Sequence, residues 1–207
     1  MIVAYNSNMK VLIATLYNPE PVLLTCTKLS PDRLILLIDE EPNQIQKDAL
    51  DLIQKSVGLV LDVKIINIPV YDVVSIAKQV VGIIDLQPKD DHIYVNITAG
   101  RKTQSMGVLF GAYARSKVVK KIAYSPDESE SKTIYLPILS FKMSESQHLI
   151  MTNIDKKGVK TYSDLAKATK LSTAMVYRSI EELKNLGFIE ITEEGFQLTD
   201  AGRIARL

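Results

Sequence analysis

Through the first two thirds of the chain, short runs of consecutive apolar residues alternate with longer segments whose apolar positions recur every three or four residues. Lys10 to Thr15, Arg33 to Ile38, Val63 to Ile68, Ile93 to Thr98, Lys121 to Tyr124 and Thr133 to Pro137 read as six strands. Four helices are predicted between them. The first runs from Pro21 to about Leu29, and the second, with Ile45, Ala49, Leu52 and Ile53 at helical spacing, ends at Gly58. The third stands behind a cap at Asp72 and carries a stripe of Val73, Ile76, Ala77, Val80 and Ile84. The fourth reaches about Ser116, with Gly107 and Gly111 one turn apart. Strands apolar on successive rather than alternate residues are buried on both faces, and their alternation with helices predicts right-handed crossovers in a parallel sheet. The expected class is α/β, a Rossmann-like doubly wound, mainly parallel sheet over residues 1–140. The first eight residues, ending in Asn6-Ser7-Asn8, are expected to be an extra edge segment or an over-extended gene start, and Ser125 to Lys132 a polar loop.

From residue 141 the alternation stops. A linker over 141–146 is followed, over 147–207, by three helix-sized segments: Gln147 to about Ile154, one behind Thr161 to about Thr169, and one behind Ser172 to about Asn185. Gly187 ends the last, and Phe188 to Ile191 pairs with Phe196 to Leu198 around Glu193-Glu194-Gly195. A short helix starts at Thr199-Asp200. Helix, helix, turn, helix, hairpin is the order of a winged helix-turn-helix. Val176, Ile180 and Leu183 face inward, which leaves Ser172, Thr173, Tyr177, Arg178 and Lys184 as candidate DNA contacts.

Charge narrows that reading without settling it. The whole chain carries a net +1, and Glu145 to Leu207 holds nine basic and nine acidic residues with an acidic wing tip, so dimerisation or contact with the first domain is the alternative role for this module. One cysteine, Cys26, fits a reducing compartment, two histidines make a zinc site improbable, and no cofactor is expected. No secretory leader is recognisable and no apolar run reaches the roughly 20 residues that span a bilayer, so the expected location is the cytoplasm.

Candidate chemistry concentrates in Ile93-Tyr94-Val95-Asn96-Ile97-Thr98-Ala99-Gly100-Arg101-Lys102-Thr103. A strand, a tight turn and a helix start bring hydroxyls, a glycine and two cations to amides that lack intrahelical partners, a setting for an anion and most plausibly a phosphate. The alternative is a turn whose Arg101 and Lys102 are solvated loop charges. Neither the P-loop spacing nor G-x-G-x-x-G is present, which argues against a nucleoside triphosphatase and a dinucleotide enzyme. If the first and fourth strands are neighbours, Thr15-Leu16-Tyr17-Asn18 lines the same crevice, with Tyr17 either stacking on a base or lying half-buried with its hydroxyl in water.

Val95 to Thr103, after a β-α-β opening and before a C-terminal winged helix, resembles the CARF domains, the CRISPR-associated Rossmann folds, and the whole chain looks like their CARF plus winged-helix regulators. The resemblance implies a homodimer that binds a cyclic oligoadenylate, most often the tetra-adenylate, across its two-fold axis. It implies ligand contacts at Thr15, Leu16, Tyr17 and Asn18 and at Thr98, Ala99, Gly100, Arg101, Lys102 and Thr103. The family's second loop often has two glycines, where this chain has Ala99 before Gly100, and its first loop often has a glycine, where this one has Tyr17. A CRISPR-associated, ligand-responsive transcriptional regulator of antiviral defence, binding promoter DNA, is the expected function. The alternatives are a metal-independent ring nuclease using Lys102 with Thr15 or Thr98, and an accessory interaction protein whose winged helix binds no DNA.

Overall fold

The computed structural model describes residues 8–126, 132–157, 159 and 161–207. The expected extra segment at 1–8 therefore lies outside the described residues apart from Asn8, as does most of the polar loop Ser125 to Lys132. The chain divides into two compact units, Met1–Ser140 and Phe141–Leu207.

In the first unit, β1 (Lys10–Thr15), α1 (Glu20–Leu29), β2 (Arg33–Asp39), α2 (Gln44–Val57), β3 (Asp62–Ile68), α3 (Val73–Asp85), β4 (His92–Asn96), α4 (Lys102–Ala114), β5 (Val119–Tyr124) and β6 (Ile134–Leu136) follow in order. The six strands form one sheet in the order β3-β2-β1-β4-β5-β6, parallel except that β6 runs against β5. The continuous apolar runs split by parity. Val11, Ile13, Ile35, Leu37, Ile93 and Val95 pack with Ile76 and Val80 of α3 and Val108 and Ala112 of α4. Leu12, Ala14, Leu34, Leu36 and Ile38 pack with Val22 and Cys26 of α1 and Ala49 and Ile53 of α2. Two buried faces are thus the reason these strands carry no polar alternation.

Helices α3 and α4 approach closely because α4 has glycines on the shared face. A Cβ on Gly107 would lie 2.6 Å from Ile76 Cβ, and one on Gly111 2.7 Å from Val80 Cβ and 2.9 Å from the Ala77 carbonyl oxygen. Three boundaries in this unit differ by two residues from the sequence expectation. β4 ends at Asn96 rather than Thr98, since Asn96 Oδ1 accepts the Thr98 amide at 2.8 Å and turns the chain out of the sheet. α4 ends at Ala114 rather than Ser116, and β5 starts at Val119 rather than Lys121, where Val119 pairs with Ile93 ahead of a register shift.

Cys26 is 7 % exposed, and burial pushes its thiol up to about 11 from an ordinary 9.0. A raised thiol pKa contributes stability that is complete below pH 9 and is lost as pH rises through the folded value. At pH 8 an aromatic disulfide reagent should label the folded protein slowly and the urea-unfolded chain at once, and immediate labelling of the folded protein would contradict this placement.

The second unit consists of α5 (Glu145–Lys157), α6 (Tyr162–Thr169), α7 (Thr173–Asn185), β7 (Ile189–Thr192), β8 (Gly195–Leu198) and α8 (Asp200–Ala205), with β7 and β8 antiparallel. Ile150, Leu165, Val176, Ile180, Leu183, Phe196 and Leu198 make its core. Thr161, Ser172 and Thr199 each cap a helix through the side chain. α5 starts at Glu145, inside the expected linker, because Ser144 and Gln147 form a reciprocal cap: the Ser144 amide donates to Gln147 Oε1 at 2.9 Å and the Gln147 amide to Ser144 Oγ at 3.3 Å. After α7, Gly187 takes φ +72 while the Phe188 amide reaches the Leu183 carbonyl and the Gly187 amide that of Lys184, which closes the helix and aims the chain into the hairpin. No helix among the described residues is long and apolar enough to cross a membrane.

Candidate ligand-binding crevice

β1 and β4 lie side by side, pairing from Lys10 with His92 to Ala14 with Asn96. Their following connections go to opposite faces of the sheet, β1 into α1 and β4 into α4, so the chain parts at the C-terminal strand ends as it does in other open α/β sheets with a ligand crevice. Thr15 to Asn18 and Thr98 to Thr103 flank that parting. Asn96 holds the second loop in place: buried, it donates through Nδ2 to Thr25 Oγ1 and the Pro21 carbonyl of α1 while its Oδ1 takes the Thr98 amide.

Gly100 brings the two loops into contact. A Cβ there would stand 2.6 Å from Thr15 Cβ and 2.9 Å from both Thr15 Cγ2 and Oγ1. Thr15 itself is fully buried, and its hydroxyl has no hydrogen-bond partner among the described residues. At the start of α4 the amides of Gly100, Lys102 and Thr103 donate to nothing among the described residues, while the Arg101 amide is taken by Gln104 Oε1 at 3.2 Å. Lys102 is exposed and makes no ion pair among the described residues. Open amides and a free ammonium at a helix N-terminus form an anion-binding arrangement.

Arg101 is not the free cation that the sequence suggests. Its Nε donates to Asp39 Oδ2 at 3.0 Å, and Asp39 is 2 % exposed. The carboxylate's other oxygen accepts from Gln104 Nε2 at 2.8 Å and Gln46 Nε2 at 3.1 Å. The hydrogen bond and charge of Asp39 hold the guanidinium above its ordinary pKa. Arg101 keeps its two terminal nitrogens for other partners, with Cζ 5.9 Å from the Tyr17 ring centroid. Tyr17 is half-buried, and its hydroxyl accepts from Asn43 Nδ2 at 3.3 Å. Asp39, Gln46 and Gln104 were not among the candidates of the sequence reading, and Asn96, though inside the quoted stretch, was given no role there. Asp39 stands in an acidic run that reads as loop, and its position at the end of a buried strand was the available signal.

The remaining candidates divide by exposure. Leu16 is fully buried; its amide donates to the Leu37 carbonyl and its own carbonyl accepts from Gln46 Nε2, so its side chain belongs to the core. Ala99 is 7 % exposed and also packs in the core. Asn18 is exposed. Thr98 accepts the Ser125 amide at 2.9 Å, and the Thr103 hydroxyl donates to the Val70 carbonyl. In the second unit the Ser172 hydroxyl caps α7, and Thr173, Arg178 and Lys184 are exposed. Tyr177, half exposed, stacks on Tyr162 with centroids 3.9 Å apart, and burial with the nearby Glu181 raises the Tyr162 pKa. Arg178 pairs with Glu182 at 2.9 Å. The described residues contain no cluster of His, Cys, Asp and Glu able to hold a metal ion.

Residues 11–129 match the family model described as "HFX_2341_N:-like, N-terminal", a span that takes in the whole of β1 but its first residue, both crevice loops and β5. The chain belongs to this family. No curated protein matches this HFX_2341_N-like chain. Among solved structures it is similar to VC1899 from Vibrio cholerae, with a TM-score of 0.51 at 10% identity over 95% of this chain and 63% of that one. Can2 from Sulfobacillus thermosulfidooxidans, solved in complex with cyclic tetra-adenylate, gives 0.49 at 16% identity, again over 95% and 63%. A type III CRISPR defence DNA nuclease activated by cyclic oligoadenylate gives 0.48 at 9% over 83% of this chain and 33% of that one. At such identities the likeness is one of fold, and the chain spans less than two thirds of each of these three proteins.

Proposed function

We propose that two copies of the chain join their first units around one cyclic oligoadenylate, most simply the tetra-adenylate, and that the second unit is a winged helix-turn-helix whose hold on promoter DNA responds to the ligand in CRISPR-linked antiviral defence. The observation that carries this reading is the pairing of β1 with β4, which gives the two loops one crevice with open amides at Gly100, Lys102 and Thr103 and a free Lys102. The resemblance of Val95 to Thr103 to CARF domains supplies the ligand class. A ring of phosphodiesters with internal two-fold symmetry suits an isologous dimer, which offers each donor twice. Ligand affinity that differs between two dimer geometries would then bias the spacing of two α7 helices.

Regulation is favoured over ring cleavage by what the crevice offers. Of the three residues suited to cleavage, Thr15 is fully buried, Thr98 is engaged with Ser125, and Lys102 alone has an open functional group. His92 begins β4 at the end of the strand away from the crevice, and Asp39 is committed to Arg101, so neither is placed as a general base in the crevice. Calorimetry with cyclic tetra-adenylate should give heat for the wild type and about tenfold weaker binding for Lys102→Ala, the loss of one charge-assisted contact. A mobility shift on promoter DNA should weaken as salt is raised. Absence of heat with any cyclic oligoadenylate would remove the ligand assignment, and linear products would replace regulation with cleavage.

A further inference from the structure

On the α3 side of the sheet the outer strand β3 is only partly covered: Ile68 at its end is fully buried, but Ile66 is half-buried and Lys64 exposed. A groove of about 490 Å³ opens there, within the range of small-ligand sites. Ile35, Ile66, Ile83 and Leu86 give it apolar walls, and Arg33 and Lys64 bring two cations to it. Arg33 is held in place: its side chain is 9 % exposed, its Nε donates to Asp62 Oδ2 at 2.6 Å, and its Nη1 donates to Gln87 Oε1 at 3.1 Å. Gln87 is fixed in turn, since its Nε2 donates to the Ile83 carbonyl at 2.7 Å. That leaves Arg33 Nη2, which makes no hydrogen bond among the described residues and is not sealed from solvent. Lys64 stands opposite Ile35 in the strand register and makes no ion pair among the described residues.

A largely buried guanidinium with one nitrogen left open calls for an acceptor, best an anionic one. Arg33, Lys64 and Asp62 together carry one positive charge, so a monoanion brings the groove to neutrality, whereas a dianion would leave net negative charge beside Asp62. The walls favour a ligand whose remainder is hydrocarbon. We infer that this groove binds a monocarboxylate with an apolar body, its carboxylate taken by Arg33 Nη2 and the Lys64 ammonium and its body lying on Ile35, Ile66 and Leu86. A straight-chain aliphatic acid and an aryl-substituted acid share that chemistry. The groove is independent of the cyclic nucleotide reading: Arg33 opens β2 at the end away from the crevice, Asp39 closes it at the crevice, and the two places have no residue in common.

Calorimetry on the full chain with octanoate, phenylacetate, acetate and octylamine tests the proposal. Octanoate or phenylacetate should bind at least about tenfold more tightly than acetate, which has the charge without the body. Octylamine has a comparable body with the opposite charge and should bind at least about tenfold more weakly than octanoate. Octanoate alone would identify an aliphatic site, phenylacetate alone an aryl site, and both a site that reads only the shared chemistry; all three support the inference. Lys64→Met keeps the aliphatic stem and removes the charge, and should cost the acid that binds about tenfold in affinity. Leu86→Ser removes a wall and should cost several-fold. Lys64 is exposed and Leu86 is 83 % exposed, so both variants should melt like the wild type. Binding of neither acid, octylamine or acetate binding as tightly as the acids, or an acid affinity unmoved by either variant would overturn the proposal.

Discussion

Replacing Asp39 with alanine should lower the melting temperature by several degrees and weaken ligand binding by about tenfold or more. Asp39 is 2 % exposed and joins three elements, taking Arg101 and Gln104 from the start of α4 and Gln46 from α2. Alanine removes the acceptor for two buried amide groups. Each partly unsatisfied group costs about 1–3 kcal/mol, and the retained bonds, Gln46 Nε2 to the Leu16 carbonyl and Gln104 Nε2 to Pro69, keep the sum near about 2 kcal/mol. For a chain of this size that corresponds to roughly 4–8 °C. The loss of affinity has a separate origin. Arg101 is held by one nitrogen so that two others stay available, and without Asp39 the side chain must be ordered by the ligand itself. A thermal melt together with a cyclic tetra-adenylate titration checks both effects, and an unchanged melt would show that Asp39 does not carry the loop.

Gly100→Val should be the most damaging single change at the crevice. Its Cβ would fall 2.6 Å from Thr15 Cβ, and Thr15, fully buried in β1, has no room to yield. The Thr98 to Thr103 loop must then move away from β1, at about 1–3 kcal/mol of overpacking, and the open amides leave their positions. Ligand heat should vanish while the protein stays folded at room temperature. Gly82→Ala is the matched control: nothing lies within 4 Å of the added Cβ in the interior of α3, so alanine there should stabilise by about 0.5–1 kcal/mol and leave binding unchanged. A Gly100→Val protein that binds like the wild type would mean that the close approach of the two loops is irrelevant to the ligand.

Much of this architecture could be read from periodicity because tertiary context reinforces it. Val11 to Ala14 and Leu34 to Leu37 are apolar at every position since both faces of the sheet are covered, and no competing helix pattern exists in runs so short. The caps Asp72, Thr161, Ser172 and Thr199 all act as their chemistry suggests. Failures came where side chains overrule the local pattern. Thr98 has strand character but Asn96 turns it out of the sheet; Ser144-Glu145-Ser146 reads as a connection but forms a reciprocal helix cap with Gln147. At the crevice, residue type located the loop but not its electrostatics. Two adjacent cations look equivalent in sequence, yet Arg101 has a buried carboxylate 62 positions away and Lys102 has none. Such a partner is visible only once β2 and β4 lie on either side of β1.

The most direct measurement is the stoichiometry of cyclic tetra-adenylate binding to the purified chain, by calorimetry alongside a mass determination of the complex. The account predicts one ring per two chains, in a complex with the mass of two chains and one ring. One ring per single chain, in a complex of monomer mass, would contradict it.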